Sequence, residues 1–227
     1  MGSPLRLQCI FTAACSVVVF IAVITDVDRD QVGRRSAVHT APVHRLLMNA
    51  TRMPVPSSAW EQLGFAVHNY NQSAARALAA AAHMEDTWDS LPTDAARAGL
   101  FRLLAVATHG GWYADADLWP TPHLEALRSR YNLVLFNEAC GPLWWNTILR
   151  AVGASTAPQF RNALFAAPAA WRPLRAALML TAANAKRKAT QTGLFSRVLT
   201  LFPDELAEAT IIGCRFGNLY AARHPSQ

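Results

Sequence analysis

Residues 94–117 read D-A-A-R-A-G-L-F-R-L-L-A-V-A-T-H-G-G-W-Y-A-D-A-D, and this stretch limits the fold more than any other. It predicts a helix, a tight Gly-Gly turn and a short strand that stops on two carboxylates. Thr93 or Asp94 can cap the free N–H groups of the first turn, just after Pro92. Ala96, Leu100, Leu103, Leu104 and Ala107 recur at helical spacing and give one apolar face. His109 falls in the last turn, where a basic residue is favoured, and Gly110 is the expected left-handed stop. Trp112 and Tyr113 are strand-type residues. Asp115 and Asp117, two apart, point the same way as long as the chain is extended.

Two carboxylates on one side of a strand end repel each other unless a positive charge lies between them. A divalent cation that prefers oxygen ligands meets that need. Such a cation also grips a diphosphate and neutralises its charge as a leaving group. Asp-x-Asp alone is common in surface loops. The full helix, Gly-Gly, aromatic and Asp-x-Asp string is far more specific.

That string, L-F-R-L-L-A-V-A-T-H-G-G-W-Y-A-D-A-D, resembles the sugar-binding region of glycosyltransferases with the Asp-x-Asp motif. Fungal α-1,6-mannosyltransferases, mannosyl-inositol-phosphoceramide synthases and, more distantly, the glucosylating bacterial toxins share it. The resemblance implies an α/β, Rossmann-like GT-A domain, a nucleotide-sugar donor, manganese or magnesium, and retention of anomeric configuration. It makes Asp115, Asp117 and Arg102 the catalytic group. Asp117 ligates the metal, Asp115 contacts donor and metal shell, and Arg102 reaches the diphosphate. The Gly110-Gly111 turn and Tyr113 fall with the donor-binding residues. In Q-F-R-N-A-L-F-A-A-P, residues 159–168, Asn162 would face the sugar and acceptor side. T-Q-T-G-L-F, residues 190–195, is similar to a family Thr-Gly-Pro turn that sets Gly193 beside the donor sugar. L-Y-A-A-R-H resembles a closing Tyr-x-x-His segment, with His224 as a further metal or diphosphate contact. V-H-R-L-L-M-N resembles the family's opening strand, with Arg45, Leu46 and Leu47 in place. Four departures stand out. Ala98-Gly99 replaces Ser-Asp, Met48 replaces His, Leu194 replaces Pro, and the Ser-Trp that often follows the last His is missing. Gly99 in mid-helix also costs roughly 1 kcal/mol against alanine.

The 227 residues are 52% hydrophobic and 16% charged, enough for one domain with a core plus an appendage. Net charge +6 and pI 9.6 favour anionic donors or headgroups. Aromatic residues do not interleave with Lys/Arg clusters, which argues against nucleic acid. Residues 7–24 are almost continuously apolar and long enough to cross a bilayer core. Arg6 and the free amine precede them, Asp26, Asp28, Arg29 and Asp30 follow, and the positive N-terminal flank favours an N-terminus-in orientation. Val23 and Ile24 suit a cleavage site poorly, so an uncleaved signal-anchor is favoured over a signal peptide. The expected layout is a tail over 1–6, a membrane helix over 7–25, a stem over 26–42 and the GT-A domain over 43–227. The chain would then be a type II protein of the Golgi or another secretory membrane, its domain lumenal.

Elsewhere the pattern gives a first strand over 43–50 and an alanine-rich helix over 74–83. Residues 83–89 read as a linking loop, 132–137 as a buried strand, 171–189 as a long helix and 208–214 as a last strand. Asn71-Gln72-Ser73 is a better glycan acceptor than Asn49-Ala50-Thr51. Trp60 reads as core. His123 and Glu125 read as a solvated helix start rather than ligands. Asn137 and Glu138, at a strand exit, lie where hydroxyl contacts tend to fall. Trp144 and Trp145 suit stacking on a sugar or core filling equally. Cys9 and Cys15 lie in the apolar run, and the spacing of Cys140 and Cys214 leaves a disulfide open.

The leading expectation is a hexosyltransferase that uses a UDP- or GDP-sugar and acts on a glycan or glycolipid. The departures leave room for an impaired glycosyltransferase-like partner subunit. A haloacid-dehalogenase-type phosphatase also ends a strand on Asp-x-Asp. It wants Thr or Val two residues on, where Trp119 stands, and a longer apolar strand.

Overall fold

The computed structural model describes residues 42–48, 54–137, 160–186, 194–213 and 220–223. The apolar run 7–24, Asn49, Glu138, Cys140, Trp144, Trp145, Gly193, Cys214 and His224 lie outside these residues. The described residues all belong to one compact unit, Thr40–Gln227. Among the described residues no helix is long and apolar enough to cross a membrane.

The element order is β1 (Pro42–Leu46), α1 (Ser57–Glu61), β2 (Ala66–Tyr70), α2 (Gln72–Ala81), α3 (Glu85–Ser90), α4 (Asp94–His109) and β3 (Gly111–Ala114). Then follow β4 (Leu118–Pro120), α5 (Pro122–Arg130), β5 (Val134–Asn137), β6 (Phe160–Ala167) and α6 (Arg172–Lys186). The last elements are α7 (Leu194–Leu199), α8 (Pro203–Ala207), β7 (Thr210–Ile212) and β8 (Ala221–Arg223). Six strands form one mixed sheet in the order β2-β1-β3-β6-β5-β7. β1 pairs in parallel with β2 and β3, and β5 in parallel with β7. β6 is antiparallel to both its neighbours, β3 and β5. β4 and β8 make a separate antiparallel ribbon. This mixed α/β sheet is consistent with a GT-A architecture.

Alternation along the strands supplies an apolar layer to each face. Leu46, Tyr113, Leu135 and Phe165 pack with Leu100 and Leu104 of α4 and Leu174 of α6. Val43, Trp112, Ala114, Val134 and Leu164 pack on the opposite face with Trp60 of α1 and Leu124 of α5. The core role expected for Trp60 is thus observed. α4 starts as its sequence directs, with the Thr93 hydroxyl accepting from the Ala96 N–H at 3.2 Å. It ends where Gly110 donates to the Val106 carbonyl at 2.8 Å. Gly110 and Gly111 both lie in the left-handed half of backbone space, at φ +68° and +90°. A Cβ on Gly111 would fall 2.5 Å from Pro42 Cγ and 2.6 Å from the Pro42 carbonyl oxygen. One on Gly110 would fall 2.8 Å from the Ala169 nitrogen. The reversal therefore needs both glycines, for conformation and for space.

Several expectations shift. The linker at 83–89 contains a helix, α3, whose acidic first turn (Glu85, Asp86) suits a helix N-terminus. Residues 66–70, not read as a strand, form the sheet edge β2, half-buried except at exposed His68 and Asn69. Asn71 is the N-cap of α2, its side-chain oxygen accepting from the Ala74 N–H at 2.8 Å. The segment 159–168 supplies β6, the strand between β3 and β5. The first strand ends at Leu46 and the 132–137 strand begins at Val134.

His44 is the buried ionisable group nearest the glycine turn. Only 1% of it is exposed. Its Nε2 donates to the Gly110 carbonyl at 2.9 Å, and the Tyr70 hydroxyl lies 3.4 Å from Nδ1. The His68 and His109 rings stand 5.5 Å away, centroid to centroid. Burial pulls its pKa from 6.5 down to about 4; the Gly110 bond opposes this, and His109 and His68 add to it.

Two outcomes follow from these contacts. Gly111→Ala should lower unfolding free energy by about 2 kcal/mol or more, because a Cβ meets Pro42 backbone at a positive φ. A thermal melt followed by circular dichroism measures it. Below pH 6.5 the unfolded His44 takes a proton that the folded one refuses until about pH 4. Its contribution is therefore intact above pH 6.5 and is lost as pH falls to about 4, by up to roughly 3 kcal/mol. Urea titrations at pH 7.5, 5.5 and 4.5 should show this slope, and His44→Phe should flatten it.

Candidate functional site

β3 ends at Ala114, and the next residues fold into a turn rather than continuing the strand. The Asp115 N–H donates to the Ala163 carbonyl of β6 at 2.9 Å, and the Leu118 N–H closes the turn on the Asp115 carbonyl at 3.1 Å. The Ala116 carbonyl, between the two acids, accepts from the Val55 N–H at 2.8 Å and from Arg45 Nη2 at 3.0 Å. The turn is thus held by three different segments. Asp115 and Asp117 line one cleft of about 240 Å³ together with Leu46, Met48, Pro54 and Tyr113. They converge through the turn, not through the extended alternation the sequence implied.

A cation and a phenol hold Asp115. The Tyr113 hydroxyl donates to Asp115 Oδ1 at 2.7 Å. Arg102 Nη2 stands 3.6 Å from the same oxygen. The guanidinium also lies 5.1 Å from the Tyr113 ring centroid and donates from Nη1 to the Asn162 carbonyl at 2.8 Å. Burial, with the Asp115 carboxylate beside it, pushes the Tyr113 phenol well above its ordinary pKa. The phenol therefore stays a donor across the working pH range, and the carboxylate it faces is fixed in orientation. α4 supplies Arg102 and β3 supplies Tyr113, so the Gly110-Gly111 reversal sets their separation.

The structure brings Asp115, Asp117 and Tyr113 to one cleft and joins Arg102 to them through Asp115. Gly110 and Gly111 build the turn behind these residues and pack on Ala169 and Pro42. Asn162 is exposed on β6, and its backbone carbonyl is what Arg102 meets. Gly193 and His224 lie outside the described residues. Met48 and Ala98, two of the departures, line the cleft, where the family has a histidine and a serine. His123 and Glu125 are exposed on α5, as a solvated helix start requires. Sequence reasoning gave Arg45 no role. The signal was present in the form of one charge inside an apolar strand run, V-H-R-L-L.

The donor set suits a small hard cation. Two carboxylates share the cleft, and among the described residues no group of three His, Cys, Asp or Glu side chains gathers to complete a protein cage. Magnesium-like ions are commonly held by one or two carboxylates, with water and substrate phosphates filling the remaining positions.

The family model for the glycosyltransferase sugar-binding region containing the DXD motif matches residues 34–134. That span, less than half of the chain, holds Arg45, Arg102, Tyr113, Asp115 and Asp117, and over it the chain is similar to this glycosyltransferase family. No curated protein matches the chain at a significant level. The match favours sugar transfer over the phosphatase alternative.

Tyr113→Phe keeps the ring in the core but removes the 2.7 Å bond to Asp115. It should melt within a few degrees of the parent, yet bind UDP with manganese about tenfold more weakly. Calorimetric titration measures the second quantity.

Proposed function

We propose that the protein is a metal-dependent, retaining hexosyltransferase that uses a UDP- or GDP-sugar donor and a glycan or glycolipid acceptor. The observation that carries this reading is the convergence of Asp115 and Asp117 on one cleft, with Arg102 tied to Asp115. The similarity of residues 34–134 to the sugar-binding region with the DXD motif supports it. Asp117 and Asp115 would hold manganese or magnesium, with His224 as a further ligand. When bound, the cation would neutralise the departing nucleoside diphosphate.

The chain's own residues then have separate tasks. Arg102 brings a fixed positive charge to the edge of the cleft, where negative charge grows on the leaving group. Tyr113 holds Asp115 in one orientation, so little reorganisation is needed at the moment of reaction. Leu46, Met48 and Pro54 give the cleft apolar walls that limit water around the donor. No side chain is assigned as base, since in a retaining transfer the departing phosphate can take the acceptor proton. The apolar run 7–24 and its charged flanks support anchoring in a Golgi or other secretory membrane, with the domain lumenal.

A screen of UDP- and GDP-hexoses with manganese tests the reading. Transfer or slow donor hydrolysis is expected with one nucleotide, and Asp117→Asn should cut it about 100-fold or more. Binding of UDP or GDP without turnover would instead make the chain an impaired partner subunit. No binding of either would remove the sugar-transfer reading altogether.

A further inference from the structure

Arg45 is 1% exposed, yet it lies within an apolar face of the sheet. Its Nη2 donates to the Val55 carbonyl at 2.6 Å and to the Ala116 carbonyl at 3.0 Å. Its Nε and Nη1 have no hydrogen-bond partner. Among the described residues no carboxylate pairs with it, and burial lowers its pKa. Keeping such a group inside a domain is costly, since each unpaired buried donor is destabilising and a buried charge more so. An apolar residue of similar length would fill the same space without that cost.

Its two bonds show what the cost accompanies. Ala116 is the middle residue of the Asp-x-Asp turn, and Val55 belongs to the segment that enters the cleft wall beside Pro54. The Val55 N–H bonds the same Ala116 carbonyl at 2.8 Å. Guanidinium, wall segment and turn form a closed three-way brace, anchored on β1 at the centre of the parallel half of the sheet. The brace acts on the peptide between the two carboxylates without touching either one.

We propose that Arg45 is a positioning residue that sets the spacing of the Asp115 and Asp117 carboxylates by holding the Ala116 peptide. This rests on the glycosyltransferase reading above. Arg45 tunes how tightly the turn takes a divalent cation and takes no part in the transfer itself. Lysine keeps the charge and can reach one of the two carbonyls, whereas methionine fills the space and reaches neither.

The test uses the full chain, Arg45→Met and Arg45→Lys. Manganese binding in the presence of UDP or GDP is read by electron paramagnetic resonance of the free ion, and folding by near-ultraviolet circular dichroism. Both variants should remain folded. Half-saturating manganese should rise about tenfold in Arg45→Met, the size seen when a partner behind a metal ligand is lost, with Arg45→Lys in between. Where turnover is measurable, kcat at saturating manganese should stay within about threefold, since no catalytic contact is removed. Parent-like manganese binding by Arg45→Met would overturn the proposal. So would unfolding of either variant, which would make Arg45 a residue of the fold alone. If the parent chain itself binds no manganese with either nucleotide, the glycosyltransferase reading fails instead.

Discussion

A two-glycine reversal between a sixteen-residue helix and a four-residue strand is the constraint on which the cleft depends. Both residues take positive φ, and both are pressed against backbone from other parts of the chain. No other residue type satisfies the two demands together. The reversal fixes how far Arg102 lies from Tyr113, and through Tyr113 it fixes Asp115. His44 reports on the same place from beneath, since its ring holds the Gly110 carbonyl while burial keeps it neutral.

Positive groups reach the acidic turn from different directions and in different ways. Arg102 approaches a carboxylate from the helix side, part-buried and stacked near an aromatic ring. Arg45 holds the intervening peptide from the sheet side and is closed off from solvent. Arg102 and the Tyr113 hydroxyl both act on Asp115 and offset its charge beside the second acid of the turn. Met48 and Ala98 make the cleft more apolar than the family pattern does.

How much of this could be read from the sequence depended on how local the cause was. α4, its threonine cap and its glycine stop were legible because each signal lies within a few residues of what it determines. The buried strand β5 was legible as an apolar run. β2 was not, because an edge strand with exposed His68 and Asn69 shows no clean apolar alternation. The β6 segment was singled out only through resemblance and not as a strand, since Arg161 and Asn162 interrupt its apolar pattern. α3 was hidden by its acidic first turn, which reads as a polar link. The acidic pair was expected to meet along an extended strand, whereas a turn brings the two residues to one cleft. Arg45 could not be given a role, since its partner carbonyl lies seventy-one positions away.

The antiparallel placement of β6 also bears on synthesis. β2, β1 and β3 can zip together once residue 114 has cleared the exit tunnel, but they leave β3 with an open hydrogen-bonding edge. That edge, and the Asp115 N–H that continues it, wait for Ala163 and the rest of β6. On the ribosome the acidic turn therefore emerges well before its backbone anchor. Until residues 160–167 clear the exit tunnel, the nascent half-sheet is the species that a chaperone would have to shield.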